Sequence, residues 1–233
     1  DINGPGAVVA TEMAIADFGG TVGGKKIELV TGDIQNKADV AASLASRWYD
    51  SENVDMILGA GASSSSIAIQ GVAGAKKRIF MAPDPASSDI TGKLCNPYTV
   101  HWVYDTAALA NGTGAAVVKS GGKTWFFLTA DYAFGYALQR DVAAIVTKSG
   151  GQVLGEVRHP INTQDFSSFL LQAQSSKAQI IGLANAGGDT INSIKQAAEF
   201  GIVKGGQKLA GLLVFVSDVH SLGLRSEERH VGK

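Results

Sequence analysis

A single cysteine, Cys95, stands among 233 residues. That excludes an internal disulfide framework and any zinc site built on several cysteines. Histidine is almost as scarce. His101, His159, His220 and His230 are scattered, with no i,i+4 pair to grip a metal on one helix face. Neither sign of charge is in excess: 20 Lys and Arg meet 21 Asp and Glu, for a formal charge of −1. A nucleic-acid footprint or an anionic-membrane patch needs a basic surplus that this chain lacks. No apolar run reaches the ~18 residues of a membrane span. Catalytic signatures are missing as well. Gly61-Ala62-Ser63-Ser64-Ser65 fails the G-x-S-x-G nucleophile elbow at its last position. Gly122-Lys123-Thr124 ends like a phosphate loop, but the glycine required five positions earlier is Val117, and a strand follows rather than precedes it. No catalytic residue, metal or cofactor is therefore expected.

What is present is apolar material, 45% of residues against 18% charged, enough for a real core. Only five prolines occur, while the 29 glycines are about 12% of the chain, above the usual ~7%, and serve tight turns. The length fits one large domain or two small ones.

Short apolar runs alternate with helical patterns. The spacing predicts strands over 26–31, 55–58 and 78–82, with helices over 38–49 and 63–75 between them. A turn-rich stretch, 87–97, leads to a short strand over 98–102 and a helix over 106–119. A second series follows: strands over 124–128, 152–157, 179–183 and 209–216, with helices over 136–148, 166–174 and 190–200. Such alternation predicts an α/β protein of two doubly wound, Rossmann-like lobes, each a parallel sheet covered on both faces. The lobes are 1–102 and 103–224, and both read as truncated: the first opens on a helix where a strand should come. Residues 225–233 carry five charges in nine without helical or strand period, and read as a non-native tail.

Ligands in open α/β sheets bind beyond the carboxyl ends of the strands, so the strand-to-helix turns are the candidate sites. In Gly59-Ala60-Gly61-Ala62-Ser63-Ser64-Ser65-Ser66, glycines permit a sharp turn and hydroxyls crowd a helix start, where free N–H groups attract an anion. One serine could merely cap the helix; four exceed that need. As a dinucleotide fingerprint the stretch is weak, because Ser64 replaces the third glycine. Pro83-Asp84-Pro85-Ala86-Ser87-Ser88-Asp89 offers further donors, or only a capped turn. Thr129-Ala130-Asp131-Tyr132-Ala133-Phe134-Gly135 puts two aromatics at a strand end, to stack on a ligand or on a neighbouring loop. In Asn185-Ala186-Gly187-Gly188-Asp189-Thr190 the glycines allow close backbone approach, and Asp189 has the option of simply capping its helix. Asp218, after the last strand, neutralises a ligand ammonium or is solvated. His101, on the linking strand, and Cys95 read as structural.

These turns in this order, with the Ala-rich first helix, Thr124 to Gly135, Asp165-Phe166-Ser167-Ser168 and Ala197-Ala198-Glu199-Phe200-Gly201, resemble the type I solute-binding proteins of ABC transporters, in the branched-chain amino-acid binding family. The resemblance runs from residue 1 to about 224. It implies two hinged lobes closing on one small carboxylate. It implies that Ser63, Ser64, Ala86 and Ser87 hold the carboxylate, that Tyr132 or Phe134 covers the ligand, and that Asn185 and Ala186 line it. Asp218 would receive an amino group, and Asn3 would remain of a loop that family members also use. Trp102 and the surroundings of Tyr132 and Phe134 resemble relatives that take aromatic carboxylates rather than aliphatic amino acids. Ala86 offers an N–H but no hydroxyl. The implied role is extracytoplasmic or periplasmic delivery of the ligand to an ABC permease, without bond chemistry. A ligand-sensing domain of a regulator or receptor with the same fold is the rival expectation, and a nucleotide-using α/β enzyme the third.

Overall fold

The computed structural model describes residues 4–223. Asn3 and the tail 225–233 lie outside the described residues. The chain divides into two units at Val103/Tyr104.

The first unit opens with helix α1 (Gly4–Asp17), none of whose residues is buried. A two-stranded antiparallel hairpin follows, β1 (Thr21–Val22) with β2 (Lys25–Lys26). The strand expected over 26–31 ends there. A strand persists only where a neighbour takes its N–H and C=O groups, and 27–31 enters no ladder in the described structure. Helix α2 (Ala38–Asp50) buries Ala41, Ala45 and Tyr49, one residue every four, against Ile69 and Ala73 of α3 (Ser63–Lys76). Between and after them run β3 (Met56–Leu58), β4 (Ile79–Ala82) and β5 (Thr99–His101), parallel and in that order in the sheet. Ile57 and Phe80 point into the helix-covered face, while Met56, Leu58 and Ile79 remain exposed. The expectation of a sheet covered on both faces therefore fails in this unit. The turn-rich stretch is pinned from α3: the Gln70 amide donates to the carbonyls of Ile90 (2.9 Å) and Leu94 (3.0 Å).

In the second unit the helix expected over 106–119 forms with a π-turn inside it: α4 (Thr106–Leu109), the wide turn Ala110–Gly114, and α5 (Ala115–Lys119). Asp105 caps it, accepting from the Ala108 N–H at 2.8 Å. Then come β6 (Thr124–Ala130), α6 (Ala133–Lys148), β7 (Gln152–His159), α7 (Ser167–Ser175), β8 (Ile180–Ala184), α8 (Gly188–Glu199), β9 (Lys208–Gly211) and α9 (Val216–Leu222). The sheet is parallel throughout, in the order β7-β6-β8-β9. Phe126, Leu128, Ile181 and Leu183 pack under Phe166 at the start of α7, Leu170 within it and Ile194 of α8. On the other face, the Thr129 hydroxyl donates to Gln139 of α6 at 2.8 Å. Here the two-sided covering holds, and β6 is buried from Trp125 to Ala130.

Several boundaries differ from expectation; α6 begins at Ala133, three residues before its expected start. The last strand ends at Gly211, not at Val216. Residues from Val216 form α9 instead, because Asp218 in its first turn reaches back to the Phe215 N–H (2.9 Å). Strand β7 runs two residues beyond its expected end, to His159, which lies opposite Ala130. Chain order leaves β6 first to β7 on one side and later to β8 on the other. The order reverses between β6 and β8, and that is where a doubly wound sheet opens a crevice at its carboxyl ends.

Candidate functional site

In the first unit, β3 breaks at Gly59 (φ +104) and Ala60 (φ +82). The second is a left-handed backbone that alanine adopts at a cost. The turn delivers Ala62 as the residue preceding α3, and no side chain caps that helix. The simple capping reading of the serines therefore fails, and each has a different job. Ser63 is buried and its Oγ accepts the Ser87 N–H at 3.2 Å, tying the end of β3 to the loop after β4. Ser66 donates to the Ala60 carbonyl at 2.6 Å, bracing the turn. Ser65 Oγ is buried without a hydrogen-bond partner. Ser64 is half-buried at the helix start.

The tie through Ser63 brings Ala86 and Ser87 beside the serine turn. Both are buried, and Ser87 Oγ accepts the Asp89 N–H at 3.3 Å. Burial raises the Asp84 carboxyl above its ordinary range. His101 is structural, its Nε2 donating to the Pro85 carbonyl. Trp102 donates its backbone N–H to the Ala82 carbonyl (3.0 Å) and the residue is 75% exposed. A helix start whose N–H groups no side chain caps, framed by hydroxyls, can take a carboxylate.

In the second unit, Tyr132 and Phe134 follow β6 and their rings lie 5.8 Å apart. Phe134 is 4% exposed, a core residue of α6, whereas Tyr132 is half-buried at the strand end. Burial, and then the Asp189 carboxylate, push the Tyr132 hydroxyl up. Asn185 is fully buried at the end of β8, with Ala186 half-buried beside it. The Asn185 amide donates to His159 Nε2 (3.2 Å) and its oxygen accepts from the Thr190 hydroxyl (2.8 Å). His159 Nδ1 is then the protonated nitrogen, and it donates to the Pro160 carbonyl (2.8 Å). Burial lowers the His159 pKa, which keeps the ring neutral. Asp218 is buried and occupied in part with starting α9.

Sequence reasoning passed over His159 and left Asp189 as an option for capping its own helix. In the structure Asp189 reaches another loop, accepting the Asn162 N–H at 3.1 Å. The available signal was positional. His159 ends a strand beside β6, at the same level as Ala130. A shallow groove of about 320 Å³ is lined by Tyr136, Gln139, Arg140 and Arg158. Its arginines are already paired, Arg140 with Asp141 and Arg158 with Glu156, each at 2.8 Å. Among the described residues no cluster of three His, Cys, Asp or Glu is placed to hold a metal, and no helix is long and apolar enough to cross a membrane.

The same architecture recurs in known proteins. The chain is similar to a periplasmic binding protein of Burkholderia mallei, 58% identical with a TM-score of 0.92, covering 95% of this chain and 59% of that one. It is similar to an ABC-transporter solute-binding protein of Rhodopseudomonas palustris, solved with 3,4-dihydroxybenzoic acid: 28% identity, TM-score 0.78, 89% of this chain and 56% of that one. A Leu/Ile/Val-binding protein homologue of Brucella melitensis is 26% identical over 214 residues, 90% of this chain and 54% of that protein. The chain thus spans between half and three fifths of the length of these relatives. The model of one family, described as periplasmic binding protein, matches residues 1–230. With parallel sheets in both units, polar turns at their carboxyl ends and a family match over nearly every residue, this chain belongs to the periplasmic binding proteins.

Proposed function

We propose that this chain is part of the substrate-binding component of an ABC importer, and that it captures a small carboxylate, either an aliphatic amino acid or an aromatic acid, for a membrane permease outside the cytoplasm. The observation that carries the reading is the serine turn at the start of α3, left without a side-chain cap and tied through Ser63 to the Ser87 N–H. Ser63, Ser64, Ala86 and Ser87 form the carboxylate end. Tyr132, Asn185 and Ala186 serve the remainder of the ligand, with Trp102, Phe134 and Asp218 as supporting residues. Family membership supports the reading, as do the relatives with Leu/Ile/Val-binding and dihydroxybenzoate descriptions. Binding rather than bond chemistry is the work, with ligand selecting one conformation over another.

The test is thermal unfolding of this chain against leucine, benzoate, 3,4-dihydroxybenzoate and ATP. Ligand at ~100 times its Kd adds about 2.7 kcal/mol, which raises Tm by roughly 5–10 °C at this size. A shift with one carboxylate class is expected. Ser64→Ala should raise Kd at least tenfold and shrink that shift accordingly. That substitution is preferable to Ser63→Ala, which would also strand the Ser87 N–H in the interior. A shift with ATP alone, or full affinity in Ser64→Ala, overturns the assignment.

A further inference from the structure

The second unit holds a buried carboxyl group, Asp189, that the described fold does not fully pair. Asp189 is 9% exposed. It sits where three strand-end loops meet: its own β8–α8 turn, the β7–α7 loop through Asn162, and the β6–α6 turn through Tyr132, whose hydroxyl it perturbs. That is the reversal point of the sheet, at its carboxyl ends. Burial raises the Asp189 pKa, opposed by His159 and by the backbone amides of Asn162 and Thr163; Oδ2 accepts the Asn162 N–H. Oδ1 is buried with no hydrogen-bond partner.

The obvious internal donors are committed elsewhere. His159 spends Nδ1 on Pro160 and Nε2 on Asn185, and Thr190 spends its hydroxyl on Asn185. Arg158 is held by Glu156. A carboxylate oxygen taken out of water without a donor is costly. It is kept where something outside the chain supplies the donor.

We propose that Asp189 is a specificity residue: its free Oδ1 accepts a hydrogen bond from an N–H or O–H group of the ligand, so that donor-bearing carboxylates are preferred to their donor-less analogues. The proposal rests on the carboxylate-binding reading above and names the second polar group that the ligand must carry. Tyr132, half-buried at the end of β6, is near enough for the Asp189 charge to add to burial in raising its hydroxyl pKa. A site built to pair a ligand donor rejects the analogue that lacks it, because the acceptor is then left buried and alone.

The experiment measures Kd by calorimetry for two matched pairs, 4-hydroxybenzoate with benzoate and leucine with 4-methylpentanoate, on the wild-type chain and on Asp189→Asn. Asparagine keeps an oxygen for Asn162 but presents an amide donor where the free oxygen was. The wild-type chain should prefer the donor-bearing member of one pair by at least tenfold. Asp189→Asn should abolish that preference, with the donor-less member binding as before. An unchanged preference, or an equal loss for both members, makes Asp189 a loop tether and overturns the proposal. If Asp189→Asn does not fold, the wild-type chain decides alone: equal affinities within both pairs overturn it. Failure of all four compounds to bind the wild type would defeat the carboxylate reading itself, and this proposal with it.

Discussion

His159 shows how one side chain couples structure to pH. Its pKa in the folded chain lies below its ordinary 6.5, chiefly through burial. As pH falls below 6.5 the unfolded chain takes up this proton while the folded chain does not. The contribution of a neutral His159 is therefore whole above pH 6.5 and drains below it, by at most about 1.4 kcal/mol per pH unit. Asp189, raised by burial, acts with the opposite sign as pH approaches its own value. Urea midpoints should fall between pH 7.5 and 5.5, and His159→Gln, though less stable at neutral pH, should flatten that slope. A wild-type midpoint indifferent to pH would refute the buried, neutral assignment. In the sequence His159 was one of four scattered histidines. Its partners Asn185 and Pro160 are invisible as partners there, because Asn185 is 26 positions away.

Among the elements, α3 tests how glycine is used in a helix. Gly71 is exposed, and an added methyl would meet nothing within 4 Å. Gly71→Ala should stabilise the chain by about 0.5–1 kcal/mol, through the helix propensity of alanine alone. Three residues on, a methyl at Gly74 would come within 3.1 Å of the Asn96 amide. Asn96 donates to the Gln70 carbonyl and accepts the Tyr98 N–H. Gly74→Ala should therefore destabilise despite the same propensity gain. Guanidinium unfolding of both variants is the check, and two equal shifts would dismiss the packing argument. Helices of this chain were legible from the period of their apolar residues, as in Val40, Leu44 and Trp48, although the fold buries the neighbouring stripe Ala41, Ala45 and Tyr49 most deeply. Strand limits were not, since a run such as 26–31 becomes a strand only if a neighbour exists to pair with it. At 209–216 the local capping by Asp218 outweighed the apolar pattern.

For the whole molecule, the two units differ in how well their sheets are covered. Strands β6 and β8 are buried almost end to end, while β3, β4 and β5 expose Met56, Leu58, Ile79 and Val100. Local opening is cheapest where few apolar contacts are lost. Amide exchange in β3–β5 should run at least tenfold faster than in β6 and β8. Equal protection, read by mass spectrometry on peptic fragments, would show that covering does not set local stability here.

Sequence alone determined the fold class, because alternating apolar strands and amphipathic helices are periodic signals that each segment carries by itself. It also determined which turns lie at the carboxyl end of each sheet, since in a parallel sheet every strand-to-helix turn emerges on that side. Tertiary structure decided what each polar group in those turns does. Ser63 became a tie to Ser87, Asp218 a helix start, and Asp189 a buried carboxylate with one oxygen unspent. The reason is that a hydrogen bond belongs to a pair. The partners of Ser63 and Asp189 lie 24 and 27 residues away, so only the folded chain brings them within reach.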